Sequence, residues 1–200
     1  MTGGFLSACN EGKCLWIFGY GSLIWKVNFP YRRKVIGYIK GYLRRFYQGS
    51  CDHRGIPGKP GRVATLLDDK EGMVWGVAYE VEPAEIENVL MYLDIREKDG
   101  YKSTYTTLHT IDHSVPTIKV MLYVATPNNN FYLGPAPLPD IAKQIAYSTG
   151  PSGKNSEYLL KLSGFMHEVR KQHEDCKDEH LFELEVLVKN NLEGLGSTNI

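Results

Sequence analysis

The chain changes character once, and that change limits the folds open to it. Up to Ala125 the apolar residues recur mainly at every second position; beyond the stretch TPNNNFYLGPAPLP they recur at helical spacing. Met73, Trp75, Val77, Tyr79 and Val81 in MVWGVAYEV share one face of a strand, and Ile118–Ala125 alternates in the same way. Leu159, Leu162, Phe165, Met166 and Val169 form one helical stripe; Leu181, Leu184, Leu187 and Val188 form another. A βαβ protein would interleave the two periods, whereas strands followed by helices argue for the α+β class.

Further strands are expected at Leu15–Phe18, within Lys34–Tyr47 (one or two), at Arg62–Leu67 and at Tyr101–Ile111. YLRRFYQG reads as a strand with its arginines on exposed positions. A helix is embedded among them: Pro83 stands where a first helical residue is tolerated, Ile86, Val89, Leu90 and Leu93 follow helical spacing, and Asp99-Gly100 ends it. The later helices are expected at Asp140–Ser148, Ser152–Lys171 and Asp178–Leu192, with Ser152 and Asp178 as N-caps. Gly49–Arg62, dense in Gly and Pro, is a long loop of the kind that carries function.

The stretch LWIFGYGSLIW runs a buried strand into Gly19-Tyr20-Gly21-Ser22. A hairpin would favour Asn-Gly in polar surroundings. The dinucleotide fingerprint G-x-G-x-x-G fails at Ile24, and Lys40 and Gly41 lie where its acidic ribose ligand belongs. GPSGKN lacks the spacing and the hydroxyl residue of a P-loop, and no G-x-S-x-G elbow occurs. What remains is a turn whose successive amides can form an anion-binding concavity, with glycines that let a ligand approach the backbone. The plainer alternative is a strand-ending turn with glycine in a left-handed conformation.

Basic and acidic residues balance at 23 each, which argues against a dedicated nucleic-acid binder. No apolar run approaches the roughly 20 residues that span a bilayer, and MTGGFLSACNEGKC has neither the basic start nor the apolar core of a secretory leader. The four cysteines are scattered, and the C-x4-C of Cys9 and Cys14 has no second pair, so no metal site is expected. A reduced, cytoplasmic protein is the simplest expectation. No histidine pair has zinc-helix spacing; His180 reads as structural, and His53 alone lies in a distinctive loop.

Glu97, in YLDIREKDGY, lies at the end of the embedded helix, facing the negative end of its dipole and near Asp94 and Asp99. Like charges and partial burial raise a carboxylate pKa, the condition for a side chain that takes a proton and returns it near neutrality. The bland alternative is a solvated Glu beside Arg96 and Lys98.

Taken together and in order, FGYGSLIW, QGSCDHRGIPGKPGR, VWGVAYEV, YLDIREKDGY, YLGPAPL, GPSGKNSEYL and DEHLFELE resemble the ChaC family of glutathione-specific γ-glutamylcyclotransferases over about residues 15–192. The resemblance implies a small α+β fold with a mixed, β-barrel-like sheet and flanking helices, the γ-glutamylcyclotransferase-like fold. It implies conversion of reduced glutathione to 5-oxoproline and cysteinylglycine with no cofactor or metal. By motif, Tyr20, Gly21, Ser22 and Leu23 would form the γ-glutamyl-binding loop, Glu97 the catalytic carboxylate, and Tyr158 part of the substrate pocket. The match weakens in the N-terminal tail and at His109–Lys119.

Such a reaction needs no enzyme nucleophile, because the substrate's α-amine attacks its own γ-carbonyl. Arg54, Lys59 and Arg62 lie in a loop that could reach the glycine carboxylate; Arg62 is included with the substrate-binding residues. The layout expected is a flexible tail (1–14), a single catalytic domain (15–192) and a C-terminal tail (193–200), with no membrane, nucleic-acid or obligate protein partner. Two alternatives stay open: a cyclotransferase for other γ-glutamyl amino acids or amines, and a non-catalytic glutathione-binding module.

Overall fold

A computed structural model describes residues 14–97, 100–111 and 117–196. Five strands close a barrel in the order β1-β3-β2-β4-β5: β1 is Trp16–Gly19, β2 Tyr31–Ser50, β3 Gly61–Val81, β4 Tyr101–Thr110 and β5 Ile118–Ala125. The pairings are antiparallel except for the closing one, where β1 runs parallel to β5 at Ile17 and Met121. A 3-10 turn (Pro83–Glu85) leads into helix α1 (Ile86–Arg96) between β3 and β4. After the barrel come α2 (Leu138–Tyr147), a two-strand ribbon of β6 (Thr149–Gly150) and β7 (Gly153–Lys154), α3 (Asn155–Arg170) and α4 (Glu179–Gly196). The α+β class and the barrel are as expected.

β2 and β3, 20 and 21 residues long, are each continuous. The segment between Arg62–Leu67 and Met73–Val81, expected as separate strands, is not a break. It is instead a bulge: Lys40 pairs with Met73, Tyr42 pairs with Asp68, and Gly41 takes φ +88° at the shift. Pairing on both sides of the bulge keeps one ribbon. The alternation expected in MVWGVAYEV understates its burial. Val77, Tyr79 and Val81 pack with α1, while Val74, Trp75 and Ala78 join the cluster that contains α2, α3 and α4. Gly37 and Gly76 are partners, and each lets a neighbouring strand approach: a Cβ on Gly37 would clash with the His109 carbonyl of β4, and one on Gly76 with the Gly19 carbonyl of β1.

Arg44 overturns the expectation of exposed arginines in YLRRFYQG. It is 2% exposed, donates to the Trp75 carbonyl and faces the Asp178 carboxylate at 3.4 Å. Asp178 also caps α4, as expected, by accepting the Leu181 amide. Burial pushes its carboxyl upward and the Arg44 charge pulls it back. Ser152 is not a cap: Lys154 precedes α3, and Ser152 lies in the β6–β7 turn, whose Gly153 has φ +103°. Helix α4 runs to Gly196 rather than Leu192, so the predicted tail begins within a helix. The predicted N-terminal tail, apart from Cys14, and Asp99 lie outside the described residues.

His180 is structural, as expected. Its Nε2 accepts the Phe46 amide at 3.1 Å, and burial lowers its pKa from 6.5 to about 4. Below pH 6.5 the unfolded chain takes up a proton that the folded one refuses. The associated stability is present above 6.5 and is lost as the pH falls toward 4. Thermal midpoints should therefore fall across that window, and His180→Gln should flatten the fall.

Candidate active site

At the end of β1 the chain turns sharply into a single 3-10 turn, Ser22–Ile24. The glycines here serve close packing rather than a left-handed backbone: Gly21 has φ −135°, and Gly19 is not among the positive-φ glycines. A Cβ on Gly19 would meet the Leu23 Cβ at 2.6 Å, and one on Gly21 the Tyr158 hydroxyl at 2.5 Å. Tyr79 holds the turn by donating to the Leu23 carbonyl at 3.0 Å. Among the described residues, the amides of Gly21, Ser22 and Leu23 donate to no acceptor. They are available to an anion, as the sequence pattern suggested.

These residues form one wall of a cleft. Its inner part is lined by the turn Gly19–Leu23 with Ala64, Glu97, Tyr101, Tyr123 and Tyr158. Its outer part shares Ser22, Glu97, Tyr101 and Tyr158 and continues to Lys26, the His53–Arg54 loop, Tyr92, Arg96 and Ser152.

Glu97 caps the end of α1, its amide donating to the Leu93 carbonyl at 2.8 Å. Its side chain is 17% exposed, not the solvated Glu of the bland alternative. Four phenols surround it: the Glu97 charge adds to burial in raising the pKa values of Tyr20, Tyr101, Tyr123 and Tyr158, the last to about 12. These phenols stay protonated at neutral pH and act as hydrogen-bond donors. Tyr20 donates to the Tyr123 carbonyl at 2.7 Å, and Tyr123 donates to Asp94 at 2.8 Å. Tyr158 accepts the Ala64 amide at 3.3 Å, which leaves its own O–H to donate.

Arg96 joins the two sides of the cleft. Its Nη2 donates to the Ser22 hydroxyl at 2.7 Å, its Nη1 donates to the Lys26 carbonyl at 3.2 Å, and its Nε lies 3.2 Å from the Glu97 carboxylate. Because Ser22 Oγ accepts from Arg96, its proton remains available to a ligand.

Of the residues the sequence offered, the cleft gathers Glu97, Tyr20, Gly21, Ser22, Leu23 and Tyr158. Arg62 must be corrected, because it lines neither part. It is 6% exposed, and its guanidinium donates to Gln144 Oε1 and to the carbonyls of Phe46 and Gly134 at 2.7–3.0 Å. It ties β3 to α2 and to the chain before it. Arg54 does line the cleft, but it is held by the Lys154 carbonyl at 3.0 Å and Glu157 at 3.1 Å. Lys59 is exposed outside it. Sequence reasoning missed Tyr101, Tyr123 and Arg96. Nothing local marks them: the inward series of β4 is Thr104, Thr106, Leu108 and Thr110, and Tyr101 shares the alternation of exposed Ser103 and Tyr105.

Residues 15–191 match the ChaC-like protein family. The chain belongs to the ChaC-like family. It is 47% identical over 173 residues to the Danio rerio glutathione-specific γ-glutamylcyclotransferase 1, covering 86% of this chain and 87% of that one. It is 44% identical over 184 residues to the Arabidopsis thaliana γ-glutamylcyclotransferase 2-3, covering 89% and 90%. It superposes on a crystal structure of a yeast γ-glutamyl cyclotransferase specific to glutathione with a TM-score of 0.82, at 30% identity over 88% of this chain and 96% of that one. The turn of FGYGSLIW and Glu97 face each other across one cleft.

Three substitutions separate packing from ligand contact. Gly21→Ala should lower the thermal midpoint, and Gly21→Ala with Tyr158→Phe should cost less than the sum of the two singles, because the clashing oxygen is gone. Arg62→Ala should lose about 3 kcal/mol or more of stability in denaturant melts, as buried charge-assisted bonds are lost, while the folded fraction keeps the wild-type KM.

Proposed function

We propose that the chain converts reduced glutathione to 5-oxoproline and cysteinylglycine, as a cytoplasmic enzyme acting on a small molecule. The observation that carries this reading is a single enclosed carboxylate, Glu97, across a narrow cleft from the unoccupied amides of Gly21–Leu23.

The γ-glutamyl group fits this arrangement end to end. Its α-carboxylate lies against the amides of the turn and the Ser22 hydroxyl, and its α-ammonium faces Glu97. Glu97 takes one proton from the ammonium. The freed amine attacks the γ-carbonyl carbon, a new C–N bond closes the five-membered ring, and the carbonyl oxygen takes up negative charge. As the carbonyl re-forms, the bond to the cysteine nitrogen breaks and Glu97 returns its proton to that nitrogen; the second proton, left on the ring nitrogen, then passes by way of Glu97 to the released amine, which departs as an ammonium. Atoms balance without water or an enzyme nucleophile. Donors such as the Tyr158 hydroxyl are preorganised for the transient oxyanion, since packing against Gly21 and Trp25 fixes the ring. Holding the flexible glutamyl chain in its cyclising rotamer supplies much of the acceleration, roughly 7–11 kcal/mol in well-oriented intramolecular reactions.

Glu97→Gln is isosteric and keeps the contact to Arg96, but cannot cycle a proton. Release of 5-oxoproline and cysteinylglycine should fall by about a hundred- to ten-thousandfold, with glutathione still bound in calorimetry. A folded Glu97→Gln protein that releases 5-oxoproline at the wild-type rate would overturn the reading.

A further inference from the structure

The geometry points to Lys26 as the residue that selects substrates carrying a second, distal carboxylate; the inference rests on the cyclotransferase reading and deepens it.

Glutathione at neutral pH carries one ammonium and two carboxylates. The inner cleft answers two of these charges, with Glu97 for the ammonium and the turn amides for the α-carboxylate. The glycine carboxylate remains, and it must lie in the outer cleft. The groups there that can carry a positive charge are Lys26, His53, Arg54 and Arg96. Arg54 is held by Glu157 and a main-chain carbonyl, and Arg96 by Ser22, the Lys26 carbonyl and Glu97. His53 stands between Asp52, 3.6 Å from its Nε2, and the Ser152 hydroxyl, 3.3 Å from its Nδ1. Among the described residues, the Lys26 ammonium alone of these has no hydrogen bond or ion pair. Neither loop arginine that the sequence offered for this carboxylate is available in the same way.

The reach agrees. The Lys26 amide donates to the Ser22 carbonyl at 2.8 Å, so Lys26 stands one helical turn beyond the residue where the inner and outer cleft meet. Residues so spaced have Cβ atoms about 5–6 Å apart. The cysteinylglycine arm, two residues extended, spans about 7 Å. A flexible lysine at the cleft mouth can meet that carboxylate without moving the turn. Arg96 grips the Lys26 backbone and Glu97 together, so the distal carboxylate is measured from the same anchor that sets the carboxylate at the scissile bond.

The test compares glutathione with its glycine carboxamide, which has the same shape and lacks only the distal charge. The wild type should turn over glutathione with a KM about tenfold below that of the amide, from a charge-assisted contact in a partly enclosed cleft, with similar kcat. Lys26→Met should raise the glutathione KM to the level of the amide, leave the amide KM and both kcat values unchanged, and lose the salt dependence of KM. Lys26→Arg should keep the discrimination. Equal KM values for the two substrates in the wild type, or a gap that persists in Lys26→Met, would overturn the assignment. The same pair of ligands titrated calorimetrically into Glu97→Gln protein reads the discrimination without turnover. A wild type that releases no 5-oxoproline removes the cyclotransferase reading, while the calorimetric gap still decides the role of Lys26.

Discussion

One guanidinium joins the two parts of the chain that make the cleft. Arg96 reaches from the last turn of α1 to the Ser22 hydroxyl and the Lys26 carbonyl, and it lies against Glu97, the next residue in its own chain. Its planar fork spaces the turn from the carboxylate, which a lysine's single point charge could not do. A cation at the C-terminus of a helix is favourable, and it offsets the cost of ending that helix on a glutamate. The position that is awkward for Glu97 alone is thus made tolerable by its neighbour.

The barrel supplies the frame for that contact. β1 has only four residues but pairs with β3 on one side and β5 on the other, so the turn at its end is held at a fixed point of the wall. Alternate residues of β1 and β5 bury in two different clusters: Trp16, Phe18, Val120 and Leu122 in one, Ile17, Met121 and Tyr123 in the other. Strands covered on both faces need apolar residues at every position, so Ile118–Ala125, expected to alternate, instead buries both of its faces, as LWIF does. Inside this frame the Arg44–Asp178 pair links β2 to the start of α4. Breaking such a buried pair on one side strands the other charge, so it fixes where α4 docks more than it adds to stability.

Local patterns carried far in this molecule. The strand-then-helix order, the helix after Pro83 and the cap at Asp178 follow from periodicity and turn chemistry acting within a few residues. The glycine turn and the carboxylate stood out because each broke a local rule, one by lacking hairpin chemistry and the other by placing a negative charge at a helix end. Patterns failed where a long-range partner decided the outcome. Arg62–Leu67 and Met73–Val81 carry separate apolar patterns, yet pairing on both sides of a bulge joins them in one strand. Arg62 and Arg54 look alike in one Gly/Pro-rich loop, but Arg62 turns inward to main-chain carbonyls and only Arg54 borders the cleft.

By itself, the sequence determined the class of fold, the order of its elements, and the two short blocks that carry Glu97 and the glycine turn. Those depend on rotamer, backbone and dipole preferences that act over one turn of chain. Only the tertiary structure decided that Ser22 and Glu97, distant in the chain, line one cleft, and that Arg44 is buried while Lys26, among the described residues, has no hydrogen bond or ion pair. Those outcomes depend on which desolvated groups find partners across the barrel, and a hydrogen bond between distant residues leaves no periodicity in the chain.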